Sequence, residues 1–106
     1  MNTHTREILV VVFEVGIREL LVVILQDEGF RVAVAENAHE ARAYRARLQP
    51  ALVLLDIWMP DTDGVTLLRE WGSSGQLTMP VVMMSGHGTI ETAVEATRMG
   101  AFDFLE

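Results

Sequence analysis

Asp56 is the residue whose position most needs a chemical explanation. It follows the apolar run Ala51-Leu52-Val53-Leu54-Leu55, and a carboxylate at the end of such a run loses hydration, so something must stabilise it or use it. One account is a nucleophilic or ligand-binding carboxylate. The other is a carboxylate that accepts backbone N–H groups from the turn that follows. Ser85 ends a second apolar run, Val81–Met84, and the small residues after it let a ligand approach the backbone. Other groupings are weaker. Asp61-Thr62-Asp63-Gly64 resembles the start of a calcium loop, but the later ligand positions and the terminal glutamate are missing. A turn with Asp63 at a helix N-terminus accounts for it better. Gly86 and Gly88 have the wrong spacing for a phosphate loop, His4, His39 and His87 share no metal-ligand spacing, and no serine sits in a nucleophile elbow.

The elements that would position these residues follow from the apolar pattern. Ile8–Phe13, Ala51–Ile57 and Val81–Met84 are short apolar runs, as expected of strands buried on both faces, while Phe30–Ala35 alternates. Ile17, Leu20, Leu21 and Ile24 form an i, i+3, i+4, i+7 stripe, which predicts an amphipathic helix packed through that stripe and closed by Gly29. Asn37 with Glu40 reads as a capping box opening a second helix to about Leu48, which Gln49-Pro50 stops. A short helix through Val65, Leu68 and Glu70 runs into Gly72-Ser73-Ser74-Gly75. A fourth is expected over Ile90–Met99, closed by Gly100, before a last strand at Phe102–Leu105. Regular alternation of strand and helix predicts one α/β domain, a three-layer sandwich around a five-stranded parallel sheet of flavodoxin-like order 2-1-3-4-5. In such sheets ligands bind beyond the carboxyl ends of the strands, where Asp56 and Ser85 both fall.

Composition narrows the function classes. The 106 residues suffice for a single core, half of them are apolar, and there is no cysteine for a disulfide or thiolate site. Nothing resembles a signal peptide or a membrane span, so a soluble cytoplasmic domain is expected. The net charge is −7, from 15 acidic and 8 basic residues. Arg42, Arg45 and Arg47 form the only basic grouping and are read as one solvated helix face, which argues against nucleic-acid binding.

Three segments, in order and at the right strand ends, carry a resemblance to a known family. Leu54-Leu55-Asp56-Ile57-Trp58-Met59-Pro60-Asp61-Thr62-Asp63-Gly64 resembles the D-x-x-M-P-x-x-D-G phospho-acceptor segment of response-regulator receiver domains. Pro80-Val81-Val82-Met83-Met84-Ser85-Gly86-His87-Gly88 is similar to their fourth strand and switch hydroxyl. Thr92-Ala93-Val94 through Gly100-Ala101-Phe102-Asp103-Phe104-Leu105-Glu106 is similar to the following helix and fifth strand in regulators of the nitrogen-regulation, sigma-54-activator group. The resemblance implies two-component signalling, with Asp56 accepting a phosphoryl group from a histidine kinase. It also implies Ser85 as the switch hydroxyl, Phe104 as the switch aromatic, and the Trp58 backbone carbonyl as a ligand of Mg²⁺.

The same resemblance exposes departures. Two adjacent acids that place Mg²⁺ in the family read Val12 and Phe13 here, leaving Glu14 as a weak candidate ligand, so Mg²⁺ binding is expected to be poor. The family's phosphate-pairing lysine would follow Glu106. A fifth helix would follow as well, so residues 1–106 are expected to form a receiver-like domain lacking its C-terminal helix. Three or four core side chains left uncovered would forfeit roughly 5–10 kcal/mol at ~1.5–3 kcal/mol each, comparable with a small domain's whole stability. At 100° per residue Val22 and Val23 fall opposite the Ile17 stripe and extend an apolar patch from Val15, so these three valines are the expected contacts of a homo-oligomer. The clustering of departures suggests a degenerate or engineered receiver. The expected function is therefore an acceptor domain with impaired phosphorylation; the alternative is a pseudo-receiver or engineered self-associating scaffold without phosphotransfer. An aspartate-nucleophile phosphatase would need a second acid where Trp58 stands, and a cap domain, so no enzyme is expected.

Overall fold

Each apolar run becomes a strand. The computed structural model describes residues 4–84 and 100–105, without the side chain of Phe104. In it β1 spans Glu7–Val11, β2 Arg31–Ala35, β3 Leu52–Asp56, β4 Val81–Met84 and β5 Asp103–Leu105. All neighbours pair in parallel, in the order β2-β1-β3-β4-β5, as the alternating pattern predicts. Helices α1 (Val15–Asp27), α2 (Ala38–Arg47) and α3 (Gly64–Ser73) occupy the connections. The loop expected at Ser85–Thr89 and the helix expected at Ile90–Met99 lie outside the described residues.

Local chemistry sets the helix ends. Gly29 (φ +89°) lets Phe30 N–H reach the Leu25 carbonyl and Gly29 N–H the Gln26 carbonyl, a Schellman closure of α1. At α2 the Asn37 side chain accepts from Glu40 N–H at 2.8 Å, while the Glu40 carboxylate accepts from Glu36 N–H at 3.0 Å, one residue before the cap. Asp63 caps α3 by accepting from Thr66 N–H at 2.8 Å. The Asp61–Gly64 segment is thus a turn and cap, as expected.

The sheet separates two apolar clusters. On one face Leu9, Val11, Val53, Leu55, Val81 and Met83 pack with Val65, Leu67, Leu68 and Trp71 of α3, and with Ala38 and Ala41 of α2. On the other, Ile8, Val10, Val12 and Leu54 meet Leu21 and Leu25 of α1.

The orientation of α1 differs from the expected one. Ile17, Leu20 and Ile24 are each about half exposed, at 48%, 58% and 48%. The inward side carries Arg18, Leu21, Val22 and Leu25, so Val22 is half-buried rather than part of an outer patch; Val15 and Val23 are exposed as expected. The reason is that α1 is apolar around most of its circumference, so period alone does not select a face. Arg18 decides it: its guanidinium donates to the carbonyls of Val12 and Phe13 at 2.9 and 3.1 Å, which pins the helix rotation.

The basic residues of α2 face solvent as expected and also make bonds that the sequence did not show. Arg42 makes a two-pronged pair with Glu70 (2.8 and 3.0 Å) and donates to Thr62 Oγ1 at 3.0 Å. Arg45 donates to the Gln76 carbonyl and to Thr78 Oγ1. They tie α2 to α3 and the loop after it, while Arg47 is exposed.

Candidate functional site

The site is built at the carboxyl ends of β1, β3 and β4. Asp56 is the last residue of β3 and pairs in register with Met84 of β4. On the other side Val11 pairs with Leu55, so one further step places Val12 beside Asp56. Val12 is 1% exposed, and its N–H continues the ladder to the Ala35 carbonyl at 3.1 Å. The Asp56 carboxylate therefore stands between a valine and a methionine. Partial burial pushes its carboxyl above the usual carboxylate range, and backbone N–H groups of Trp58 and Ile57 offset only part of the rise. Asp56 Oδ1 accepts from Trp58 N–H at 3.2 Å, so the turn-stabilised carboxylate and the chemically usable one are the same residue.

A stability consequence follows with a definite sign. Because the folded Asp56 pKa lies above its ordinary 3.8, the native state holds more protons than the unfolded chain between the two values. Stability from this group is then present below the ordinary pKa and is lost as pH rises through the folded one. Thermal melts across the acid range should show this loss in the parent and not in Asp56→Asn; equal pH slopes in both would contradict the assignment.

The loop behind Asp56 is closed on itself. Gly64 N–H donates to the Ile57 carbonyl at 2.9 Å. A Cβ on Gly64 would lie 2.2 Å from the Asp56 carbonyl oxygen, so glycine is required by close backbone approach. Ile57, Trp58, Met59, Asp61, Thr62 and Asp63 line an open depression of about 260 Å³ on this loop. Trp58 is 67% exposed at its rim, and Phe13 is 52% exposed nearby in sequence to Val12.

Glu14 does not face this site. Its carboxylate caps its own helix, accepting from Gly16 and Ile17 N–H at 3.0 and 2.7 Å. These bonds, Ile17 first, hold its carboxyl below the usual range. Its spacing to Ile17 was a local signal for a cap, missed because glutamate is not among the usual N-cap residues. Two participants were not anticipated at all. Arg18 holds the carbonyls at the end of β1, with Glu36 at 3.7 Å. Asp61 accepts from Ala38, His39 and Thr62 N–H at 3.1, 2.9 and 2.9 Å, joining the loop to α2.

A divalent cation needs several hard oxygen donors in one place. Among the described residues no three of His, Cys, Asp or Glu are grouped in that way. With Val12 beside Asp56 and Glu14 committed to a cap, the described residues do not fit Mg²⁺. Ser85 lies outside the described residues; Phe104 is placed by its backbone, paired with Met83.

Comparison with known proteins agrees with this layout. The response regulator receiver domain family model matches residues 8–106. A putative NtrX-like response regulator of Rickettsia bellii is 43% identical over 102 residues, covering 94% of this chain and 21% of that protein. The chain thus spans about a fifth of the length of the curated relatives it matches. The crystal structure of the receiver domain of NtrX from Brucella abortus superposes with a TM-score of 0.82 at 49% identity, covering 92% of this chain and 82% of that one. The solution structure of the beryllofluoride-activated NtrC4 receiver domain dimer gives 0.86 at 35%, covering 96% and 84%. An aspartate closing the middle strand of a 2-1-3-4-5 sheet, a glycine-closed loop behind it and a family match over residues 8–106 lead to one conclusion: the chain belongs to the response regulator receiver domain family.

Proposed function

We propose that this chain is the receiver domain of a two-component response regulator in which Asp56 is the phospho-acceptor and transfer is impaired. In the reaction a carboxylate oxygen of Asp56 attacks phosphorus, the P–N bond to a kinase histidine breaks, and the imidazole nitrogen retains the electron pair and takes up a proton. Ser85 and Phe104 are the switch hydroxyl and aromatic by position, and a histidine kinase is the partner. The chain has no enzymatic role of its own in this reading.

The observation that carries the impairment is Val12, buried beside Asp56 where the family has an acid. An anionic nucleophile must approach an anionic phosphoryl group, and catalysis of that step rests on positive charge that neutralises both. Here the Trp58 carbonyl is left as the family-type oxygen ligand without acidic neighbours from β1. Mg²⁺ titration followed by fluorescence of the exposed Trp58 should show no saturation at sub-millimolar metal. Intact mass after incubation with Mg²⁺ and acetyl phosphate should show only a minor phosphorylated fraction. A stoichiometric gain of one phosphoryl group, abolished by Asp56→Asn, would defeat the reading.

A second reading, a pseudo-receiver that self-associates, is favoured by the outer side of α1. Ile17, Leu20, Val23 and Ile24 are all about half exposed, next to Val15, and burying such a side against a second copy would remove it from water. Val22, half-buried, is a poor contact and leaves the proposed set. Light scattering coupled to size exclusion is expected to give more than the 11.8 kDa chain mass, with Leu20→Glu lowering it. A well-folded monomer across micromolar concentrations would exclude this reading.

A further inference from the structure

Helix α2 is seated on the domain in an unusual way. Its fully buried residues are Ala38 and Ala41, whereas α3 buries Val65, Leu67, Leu68 and Trp71. Tyr44, in the second half of the helix, packs partly buried against the same core and donates its hydroxyl to Glu7 at 3.0 Å, but at the first turn two alanines remove little apolar surface from water, so hydrogen bonds do most of the fixing there. Arg42 and Arg45 supply the ties along the helix to Glu70, Thr62, Gln76 and Thr78. The tie at its first turn comes from the loop after Asp56. Asp61 Oδ1 accepts from Ala38 N–H and Oδ2 from His39 N–H, so one carboxylate satisfies two of the helix's orphan donors. Partial desolvation pushes the Asp61 carboxyl up, but the N–H groups of His39, Ala38 and Thr62 outweigh it and hold it below the usual range.

That loop has few other freedoms. One end is anchored by the Trp58 N–H to Asp56 Oδ1 bond and the other by Gly64 N–H on the Ile57 carbonyl. Between them Asp61 and Thr62 are both held by α2, the second through Arg42. A displacement of the loop at Asp56 cannot be absorbed within it without stretching these bonds, and the first turn of α2, with Ala38 and Ala41 as its buried residues, has little apolar anchorage to resist being moved.

Resting on the acceptor role given to Asp56 above, we propose that Asp61 is a positioning residue that holds the acceptor loop to the first turn of α2, so that α2 responds to changes at Asp56. Coupling then runs from the acceptor to the face carrying α2 by three hydrogen bonds, independently of Ser85 and Phe104.

A double-mutant cycle tests this, read by amide exchange and chemical shifts at Ala38 and His39 in ¹⁵N-labelled protein. Asp56→Ala removes the acceptor of the Trp58 N–H and should speed exchange at both amides by roughly fivefold, the size of a weakened helix cap. In Asp61→Ala the two amides exchange faster from the outset, and adding Asp56→Ala should change nothing further there. Asp61→Asn, which keeps a carbonyl acceptor in the same shape, should restore part of the protection and part of the response; it carries the same cycle if Asp61→Ala does not fold. Amides of α2 that ignore Asp56→Ala, or respond equally with and without Asp61, overturn the proposal. A cap without a positioning role would slow exchange at Ala38 and His39 but would leave them blind to Asp56. No phosphoryl group enters the measurement, so failure of the acceptor reading in the mass assay is separate from failure here.

Discussion

Replacing Gly64 with alanine is expected to lower Tm by about 15 °C. The added Cβ would lie 2.2 Å from the Asp56 carbonyl oxygen, 3.0 Å from its carbon and 3.1 Å from Ile57 Cα. All three are backbone atoms of a strand end and its turn, so no side chain can rotate away. Overpacking of this kind costs about 3 kcal/mol, and a domain near 100 residues loses roughly 4–8 °C per kcal/mol. The strain falls on the Asp56 backbone, so surviving Gly64→Ala protein should also show a shifted Trp58 resonance. Gly64→Val, which adds two methyl groups, should not fold. The control is Gly75→Ala, where the new Cβ meets nothing within 4 Å and only the φ of +76° is strained; it should lose much less. A Gly64→Ala melt within about 2 °C of the parent would show that the approach of α3 to β3 is looser than described.

The second large effect is expected from Val12→Asp combined with Phe13→Asp. Val12 is 1% exposed and flanks Asp56. A carboxylate there is desolvated and faces a like charge, which raises both carboxyl pKa values and destabilises the fold near neutral pH by about 2–4 kcal/mol. Mg²⁺ should reverse the loss, because a cation that binds only the native state stabilises it by about 2.7 kcal/mol at a hundred times its Kd. Tm of the double variant should therefore climb with Mg²⁺ at constant ionic strength, while Tm of the parent stays flat. Acetyl phosphate should label the variant more than the parent, and Asp56→Asn should abolish the gain. A parent whose Tm climbs with Mg²⁺ as steeply as the variant's would mean that a cation site exists without the acids.

How much of this was legible depended on whether a signal was local. β3 and β4 were plain, because an unbroken apolar run of strand length bounded by Pro50, Pro60 or Pro80 has few other uses. Asp56 stood out for the same reason, as the one charge at the end of such a run. Caps at Asn37 and Asp63 and the closure at Gly29 are read within four residues and came out as expected. The face of α1 did not, since Val15, Ile17, Leu20, Leu21, Val22, Val23, Ile24 and Leu25 leave no polar side to exclude. The deciding contact is Arg18 with the end of β1, which no apolar period reports. Asp61 lies 23 residues from its partner Ala38, and nothing in the local pattern of either segment points to the other. Glu14 was within reach, but an acid beside two lost acids invited a metal reading where a helix cap was the simpler fate.

The strand order has a consequence for how the chain acquires its structure. β1 lies between β2 and β3, and each partner arrives from well beyond it in the sequence, with Glu7 opposite Arg31 and Ile8 opposite Leu52. Closing those loops before any contact rewards them makes sheet assembly slow relative to helix formation, which is the signature of high contact order. On a ribosome, the first βαβ pair can form only as a marginal two-stranded unit. The lasting nucleus waits until Leu52–Asp56 has emerged and β3 can pair with β1. β5, three residues on the far edge, adds last and is the strand a nascent chain can most readily do without.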